Sequence, residues 1–254
     1  ADGWTVGFER FVAAIGNLRL EGDRDAFTSS CNAYSSPSYD RTFDFAVLPE
    51  PAKVALAWGL GRCSVAYRVR SPSFDTLLGS GVTPTDVALM RVRGDDAYEA
   101  GKRVVLYAQG QAVRGGVEKR FAWVFRRGFA LDRCLASSGS GYLSVLELAA
   151  GDAPRLGVVV RGEELFRRAP DDAAPLHFDR YAAADADGDG AITFAELAAV
   201  AAPSDDPWPD DASDGTGEQP ATPPETLADL VYRFLLPRVT RMVGGGVCQA
   251  EVRG

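Results

Sequence analysis

One twelve-residue segment, Asp185 to Glu196, limits what this chain can fold into more than any other part of the sequence. Oxygen-bearing side chains occupy positions 1, 3, 5, 9 and 12 of the segment, and a glycine occupies position 6. A hard divalent cation prefers a shell of several oxygen ligands, and a glycine permits the sharp turn that wraps the backbone around it. The segment therefore predicts a loop that closes around one calcium ion.

Each position of this loop has a predicted task. The three aspartates alternate along the chain, so their carboxylates converge on one centre, while position 7 contributes its backbone carbonyl and position 9 acts through a water. The glutamate at position 12 closes the shell with both oxygens, and Ile192 at position 8 is an apolar anchor. The predicted metal ligands are Asp185, Asp187, Asp189, Ala191, Thr193 and Glu196.

This pattern resembles an EF-hand, and the resemblance covers residues 176–202. It implies an incoming helix from Leu176 to Ala184 and an outgoing helix from Phe194 to Ala202, in which Phe178 and Tyr181 share one buried face. EF-hands usually occur in pairs that join through position 8. The best second candidate, Asp210 to Ala221, lacks an acid at positions 3 and 12. A single loop favours a structural role for calcium over the role of a sensor.

Four cysteines point to an oxidising compartment. Cys31, Cys63, Cys134 and Cys248 are widely separated and form no C-x-x-C motif, which excludes a zinc cluster and favours two disulfides in a secreted or periplasmic protein. Three pairings are possible, and we expect Cys63–Cys134 together with Cys31–Cys248. The first residue is Ala1, so we expect that a leader has been removed. No apolar run approaches the length of a membrane span.

Charge is distributed unevenly along the chain. Residues 181–232 contain twelve acids and no Lys or Arg, although the whole chain has 35 acids, 27 bases and a net charge of −8. The remainder is therefore slightly basic, by 27 − 23 = +4. Residues 203–222 are rich in Pro, Asp, Ser and Gly, which predicts an exposed acidic loop.

The first 161 residues have the pattern of a mostly β domain. Short segments alternate apolar and polar residues and are separated by turn signals, which predicts an antiparallel β-sandwich-like fold. In one alternative, Thr83 and Pro84 begin a short helix in place of the strand at Val87–Val92. The predicted strands are Thr5–Phe11, Thr42–Val47, Val54–Trp58, Ser64–Arg70, Val87–Val92, Val104–Gln109, Arg120–Arg126, Tyr142–Leu148 and Leu156–Arg161.

Residues 162–254 form the second predicted domain, a helical calcium-binding region. It contains the calcium loop, the acidic loop 203–222 and a C-terminal helix over residues 225–243. Apolar residues recur in this helix at helical spacing, and Pro237 is expected to interrupt it. We expect the apolar stripe to pack against the rest of the protein.

A search for catalytic motifs finds none. The single histidine, His177, precedes the calcium loop, and Gly139-Ser140-Gly141 lacks the spacing of a nucleophile elbow. The basic and aromatic stretch Lys119–Arg127 alternates as a half-buried strand does, so nucleic-acid binding is not expected. We therefore predict no catalytic residues and no cofactor other than Ca²⁺.

Together these features predict a secreted or periplasmic calcium-binding protein, a non-enzymatic binding or structural module at a cell envelope. In this interpretation calcium rigidifies a helical appendage, and the partner is an unidentified protein or glycan. Two alternatives stay open. A calcium-stabilised extracellular hydrolase requires paired carboxylates in a cleft, and a calcium-responsive sensor or adhesion protein requires helices that move on binding.

Overall fold

A computed structural model gives the structure of most of the chain. It describes residues 2–22, 30–34, 39–47, 56–94, 101–134, 145–151, 157–168, 173–203, 223–243 and 248–253.

Strands dominate the regular structure, with 45% of the described residues in strands and 21% in helices. Their lengths vary widely, from two residues to the long β1 and β4. The described strands are β1 Thr5–Gly22, β2 Ser30–Tyr34, β3 Arg41–Asp44, β4 Leu56–Val69, β5 Leu77–Leu78, β6 Leu106–Arg114, β7 Val117–Phe125, β8 Gly128–Asp132, β9 Val145–Leu148, β10 Val158–Val160, β11 Ala191–Ile192, β12 Thr240–Met242 and β13 Gln249–Arg253.

The described helices are short. The α-helices are α1 Pro84–Arg91, α2 Asp179–Ala182, α3 Phe194–Ala199 and α4 Leu227–Asp229. A π-helical segment, Leu230–Leu235, follows α4, and 3-10 segments cover Gly162–Phe166 and Leu236–Val239.

The chain forms two compact units, each assembled from three separate stretches of sequence. The first unit contains residues 1–9, 108–123 and 161–239, and the second contains residues 10–107, 124–160 and 240–254. The division into domains 1–161 and 162–254 stays a prediction, because compactness does not test whether a segment folds independently.

In the first unit, aromatic side chains form the interior around one face of β7. Phe121 and Trp123 of β7 are buried together with Phe166, Phe178 and Tyr181. Their ring centroids lie 4.9 to 5.9 Å apart in most of these pairs, within the range at which aromatic pairs attract each other. This cluster fixes α2 against β7, which positions the loop that begins at Asp185.

In the second unit, β4 is the strand with the most partners. It pairs antiparallel with β1, β2, β8 and β9, and β8 pairs antiparallel with β13. Val12, Ala14, Met90, Val104 and Tyr107 form one buried apolar cluster of this unit. The unit is therefore organised by pairing between strands that are distant in sequence.

The prediction of a mostly β protein is confirmed, although the sheet is mixed instead of wholly antiparallel. β11 pairs parallel with β7, and β3 pairs parallel with β5. The two-layer sandwich arrangement stays a prediction.

Two disulfides are present, but the expected pairing of the cysteines is wrong. Cys31 bonds to Cys63, and Cys134 bonds to Cys248. Strand pairing explains both bonds, because Cys31 lies on β2 beside β4, which carries Cys63. Cys134 follows β8 and Cys248 precedes β13, its antiparallel partner.

Several predicted elements differ in type or length. The strand predicted at Val87–Val92 is wrong, because the alternative helix forms there as α1, with Thr83 and Asp86 making a capping box. The incoming helix shortens to α2 and the outgoing helix to α3. In place of the helix predicted at 225–243, the chain forms α4, the π-helical and 3-10 segments and then the strand β12. The expected interruption at Pro237 is present, since the 3-10 segment that contains Pro237 ends at Val239.

Some predictions fall outside the described residues. These are most of the acidic loop 203–222, the second candidate loop at 210–221, residues 54 and 55 of one predicted strand, residues 142–144 of another and residue 156 of a third. Among the helices that the structure describes, none combines the length and apolar character needed to cross a lipid bilayer.

Candidate metal centre

The loop from Asp185 to Glu196 is organised by hydrogen bonds between its acids and its own backbone. Asp185 Oδ1 accepts from Gly188 N at 2.9 Å, and Asp185 Oδ2 accepts from Gly190 N at 3.1 Å. Asp189 Oδ1 accepts from Ala191 N at 2.7 Å. Gly190 has a φ of 82°, a left-handed conformation that side chains disfavour. The backbone therefore curls in the way that the glycine at position 6 predicts.

This curl brings three predicted ligands together. Carboxylate oxygens of Asp185, Asp187 and Asp189 all lie within 4.8 Å of one another. Asp185 is half-buried as a residue, whereas Asp187 and Asp189 are exposed. Three converging carboxylates, open on one side to water, form a donor set that suits a hard cation such as Ca²⁺.

Glu196 lies at the other end of the loop and in the first turn of α3. Its Oε2 accepts from the backbone N of Thr193 at 2.7 Å and from Thr193 Oγ1 at 2.8 Å, and Thr193 Oγ1 accepts from Glu196 N in return. Oε1 accepts from Ala186 N at 3.1 Å, which joins position 12 to position 2 of the loop. The hydrogen bonds from Thr193 hold the pKa of Glu196 below its usual value. Thr193-x-x-Glu196 is also a capping-box sequence, a signal that the sequence contained and that our prediction of ligands did not use.

Ile192, at position 8 of the loop, lies in a short strand that pairs with β7. Ala191 and Ile192 form β11, which lies parallel to Arg120 and Phe121 of β7. Arg120 N donates to Gly190 O at 2.8 Å, and the indole Nε1 of Trp123 donates to Ile192 O at 2.8 Å. Ile192 is buried. β7 therefore provides a backbone partner for position 8, which holds this part of the loop in place.

The helices on both sides of the loop rest on the aromatic face of β7. Tyr181 of α2 lies 5.7 Å from Trp123, and Phe194 of α3 lies 6.3 Å from the same ring, measured between centroids. Tyr181 is fully buried, and its hydroxyl donates to Leu165 O at 2.8 Å. The loop thus extends from two short helices that are anchored to a single strand.

Lys119 brings a positive charge to the centre, and sequence analysis did not identify it. Its ammonium group makes an ion pair and a hydrogen bond with Asp185 Oδ2. The Asp185 side chain has no exposed surface, and that of Lys119 is 18% exposed. This contact is the main reason that the pKa of Asp185 lies below its usual value. Lys119 is 66 residues away along the chain, so no local pattern could have revealed the pair.

A second group of potential ligands, Asp2, His177 and Asp179, lies at the beginning of α2. Its carboxylates already bind donors of the protein. Asp2 Oδ2 accepts from Asp179 N at 2.8 Å, and Asp179 Oδ1 accepts from Trp4 Nε1 at 2.9 Å and pairs with Arg114 at 2.5 Å. These contacts indicate that the group stabilises the start of α2, and the Arg114 guanidinium opposes a cation there.

Comparisons with known proteins give little information on function. No protein-family model and no solved structure matches the chain. It is 31% identical over 157 residues to UPF0313 protein blr7973 of Bradyrhizobium diazoefficiens, in an alignment that covers 50% of this chain and 23% of that protein. Because the chain matches less than a quarter of that relative, the similarity does not place it in a family.

Proposed function

We propose that this chain is a secreted or periplasmic calcium-binding protein that acts as a non-enzymatic binding or structural module. The observation that carries this proposal is the convergence of three aspartate carboxylates within 4.8 Å in a loop whose sequence provides an oxygen donor at every ligand position. In this proposal the Asp185, Asp187 and Asp189 side chains bind one Ca²⁺, assisted by the Ala191 carbonyl, a water held by Thr193, and Glu196.

The negative charge of the loop favours the binding of a cation. The four acidic ligand side chains carry four negative charges, and Lys119 compensates for one of them. Carboxylates this close repel one another at neutral pH, and their backbone hydrogen bonds reduce that repulsion without removing it. A Ca²⁺ ion at their centre converts the repulsion into attraction.

The same ion links the two helices that flank the loop. Asp185 lies three residues after α2, and Glu196 lies in the first turn of α3. Ligands at both places restrict the motion of one helix relative to the other. The pairing of Ile192 with β7 favours this rigidifying role over that of a sensor, since buried strand residues resist the movement that a sensor requires.

Cysteine usage supports the proposed location outside the cytoplasm. Both cysteine pairs of the chain are disulfide-bonded, and such bonds persist in oxidising compartments. Calcium modules of that environment bind with dissociation constants of about 10⁻⁴ to 10⁻³ M. We expect an affinity in this range, because Lys119 and the exposure of Asp187 and Asp189 both weaken attraction for the ion.

A calcium-stabilised hydrolase has less support. One cavity of the first unit, about 330 Å³ in volume, is bordered by Glu9, Gln109, Arg120 and Thr193. Glu9 is the one carboxylate among the described residues that border it, and it accepts a hydrogen bond from Gln109 at 3.2 Å. A glycosidase mechanism needs two such groups.

Isothermal titration with CaCl₂ of resin-decalcified protein tests the proposal. The key variant is Glu196→Gln, which removes the charge of the position-12 ligand, while glutamine still serves in a capping box. We expect one site in the wild type and an affinity at least about tenfold weaker in the variant, equivalent to loss of one charged ligand interaction.

Glu225→Gln is the matched control, because Glu225 is exposed, belongs to the same unit and lies outside the loop. It should bind calcium with wild-type affinity. Equal affinities for wild type and Glu196→Gln, or no heat of binding in the wild type at millimolar calcium, would contradict the proposal.

A further inference from the structure

One cavity of the first unit lies on the face of the sheet that is turned away from the aromatic side chains. Phe8 of β1 packs against Phe121 of β7, with ring centroids 5.6 Å apart. Successive side chains of a strand point to opposite faces, so Glu9 and Arg120, the sequence neighbours of these rings, lie on the other face. Both are exposed and border a cavity of about 330 Å³. We call it the Glu9–Arg120 cavity.

Four neighbouring strands of the sheet build this cavity. β1, β6, β7 and β11 follow one another in the sheet, and they bring Glu9, Gln109 and Arg120 to its border together with Thr193, which directly follows β11. Glu9 Oε2 accepts from Gln109 Nε2 at 3.2 Å. Ala191 of β11 lies beside Arg120 in the parallel register. Polar groups that are distant in sequence thus meet on one surface.

Differences in side-chain size make this surface concave. Ala122 of β7 and Ala191 of β11 border the cavity with only a methyl group each. Gly110 of β6 has no side chain, and a Cβ at this position would lie 2.1 Å from Gly7 O, so a glycine is required where β1 and β6 approach so closely. The longer charged side chains rise beside these small residues. The result is a depression with charged groups at its border.

The two charged groups of the cavity have opposite signs. Glu9 and Arg120 are the charged residues among the described ones that border it. Within the described part of the chain neither makes an ion pair, and Glu9 accepts its hydrogen bond from a neutral amide. One strand, β6, separates β1 from β7, so the two backbones lie about 10 Å apart, twice the spacing of neighbouring strands. The cavity therefore has a negative side and a positive side.

This arrangement favours a ligand that carries both charges. A neutral ligand would cover the two ionic groups without replacing the water that solvates them, which is costly, and an ion of one sign would meet a like charge. An extended chain spans at most about 3.3 to 3.6 Å per residue, so the ends of a dipeptide lie about 7 Å apart. That length fits between side chains that rise from backbones about 10 Å apart. The volume of about 330 Å³ lies in the lower range of small-molecule sites.

We propose that the Glu9–Arg120 cavity binds a short peptide with free ends, about two residues long, with its ammonium group at Glu9 and its carboxylate at Arg120. A guanidinium matches a carboxylate because its planar fork donates two parallel hydrogen bonds. Gln109 and Thr193 offer amide and hydroxyl groups to the peptide bond. The proposal does not rest on the calcium function, because Glu9 and Arg120 belong to β1 and β7 and not to the loop.

Alanyl-alanine and two blocked forms of it test the proposal: the N-acetylated peptide, which lacks the ammonium group, and the C-terminal amide, which lacks the carboxylate. Binding to the full chain is measured by calorimetry and ligand-observed NMR in low-salt buffer with EGTA. We expect alanyl-alanine to bind and each blocked form, as well as neutral glucose, to bind at least about tenfold more weakly. Because EGTA removes calcium, failure of the calcium function would not alter this result.

Two variants assign each end of the peptide to one side chain. Glu9→Gln should weaken binding of alanyl-alanine about tenfold but leave binding of the N-acetylated form unchanged, since that form has no ammonium group to lose. Arg120→Gln should weaken binding of alanyl-alanine to a similar extent and leave binding of the C-terminal amide unchanged. A general disturbance of the fold would instead weaken binding of all three peptides.

Glu118→Gln is the matched control, because Glu118 is an exposed acid of β7 in the same unit and does not border the cavity. It should change the affinity for alanyl-alanine less than about twofold. Three results would overturn the proposal: no binding of alanyl-alanine at about 10 mM, equal binding of a blocked peptide or of glucose, or equal losses in Glu9→Gln and Glu118→Gln. Circular dichroism of every variant confirms that each is folded.

Discussion

The loop from Asp185 to Glu196 and a basic cavity of the second unit, lined by Arg68, Arg70, Arg93, Lys102, Arg103 and Arg126, bring charges of opposite sign together in different ways. The loop places four acids in twelve consecutive residues and holds all four with its own backbone N–H groups. The cavity takes its cations from four stretches of the second unit, at residues 68–71, 93, 101–105 and 126–129. The loop is therefore specified locally, whereas the cavity depends on strand pairing.

Both sites contain one side chain of the opposite charge. Lys119 lies against Asp185 in the loop, and Asp40 lies near Arg70 beside the cavity. A third cluster lies in the second unit, where Arg10 pairs with Asp44 at 3.1 Å and with Asp86 at 2.7 Å, so that one cation faces two carboxylates.

The largest expected effect is a loss of stability when a disulfide of the second unit is removed, with little change in calcium binding by the first unit. Cys134→Ser with Cys248→Ser opens a disulfide that spans 114 residues, and it should reduce the free energy of unfolding by about 4 kcal/mol. Calcium affinity should change less than about twofold at a temperature where the variant stays folded. Urea denaturation and calorimetry measure both quantities, and a parallel loss of calcium affinity would show that the two units are not independent in this respect.

Ile192→Ala tests whether the sheet supports the loop. Ile192 is 1% exposed, and truncation of such a residue destabilises a protein by about 2 to 4 kcal/mol. Because Ile192 also sets the pairing of β11 with β7, calcium affinity should fall as well. Val117→Ala, at an exposed position of β7, is the control and should cost less than about 0.5 kcal/mol. Unchanged calcium binding in Ile192→Ala would show that the loop binds the ion without support from β7.

Asp86→Asn tests the cluster around Arg10, with an expected loss of about 1 to 2 kcal/mol of unfolding free energy at pH 7. Partial burial acts to raise the pKa of Asp86, but hydrogen bonds from Tyr107 and Thr83 and the charge of Arg10 outweigh it and lower the pKa. A carboxylate with a lowered pKa stabilises the fold above its unfolded pKa, and this contribution is lost as pH falls through the folded value.

The difference between wild type and Asp86→Asn should therefore shrink as the pH falls below about 4, the pKa of aspartate in the unfolded chain. Urea denaturation over this pH range measures it, with Asp75→Asn at an exposed site of the same unit as control. A difference that does not depend on pH would mean that the carboxylate charge has no role in the cluster.

Lys119→Met should produce the smallest change, and, unlike Ile192→Ala, it should strengthen calcium binding. Removing a positive charge beside a calcium ligand should strengthen calcium binding about fivefold, or about 1 kcal/mol. The calcium-free protein should become less stable, because Asp185 has no exposed side-chain surface and loses its partner. Arg120→Met is the matched control, since Arg120 is exposed. Weaker calcium binding in Lys119→Met would mean that Lys119 arranges the ligands instead of competing with the ion.

Local patterns predicted what neighbouring residues determine. Thr83 and Pro84 indicated the start of α1 as an alternative to the strand predicted at Val87–Val92, and Pro237 predicted where the C-terminal helix is interrupted. In β7, the alternation of Phe121, Trp123 and Phe125 predicted which side chains are buried. Each of these outcomes depends on contacts within one or two turns or along one strand.

Contacts between distant residues were not predictable in this way. The first strand was predicted to end at Phe11, but β1 continues to Gly22. The prediction stopped short because Val12, Ala13, Ala14 and Ile15 are all buried, so the sequence there shows no alternation of apolar and polar residues. The disulfide pairing followed strand neighbours that the sequence does not reveal. Lys119 and the cations of the basic cavity are brought to their sites by the sheet. The local turn of the loop from Asp185 to Glu196 was therefore predictable, whereas its partner strand β7 and the contact with Lys119 were not.

A crystal structure of the chain grown in millimolar calcium tests the central claim most directly. We expect one calcium peak in the loop, about 2.3 to 2.6 Å from oxygens of Asp185, Asp187, Asp189 and Glu196 and from the Ala191 carbonyl, with the Lys119 ammonium displaced from Asp185. A loop without a metal peak under these conditions, with Lys119 still bound to Asp185, would contradict the proposed function.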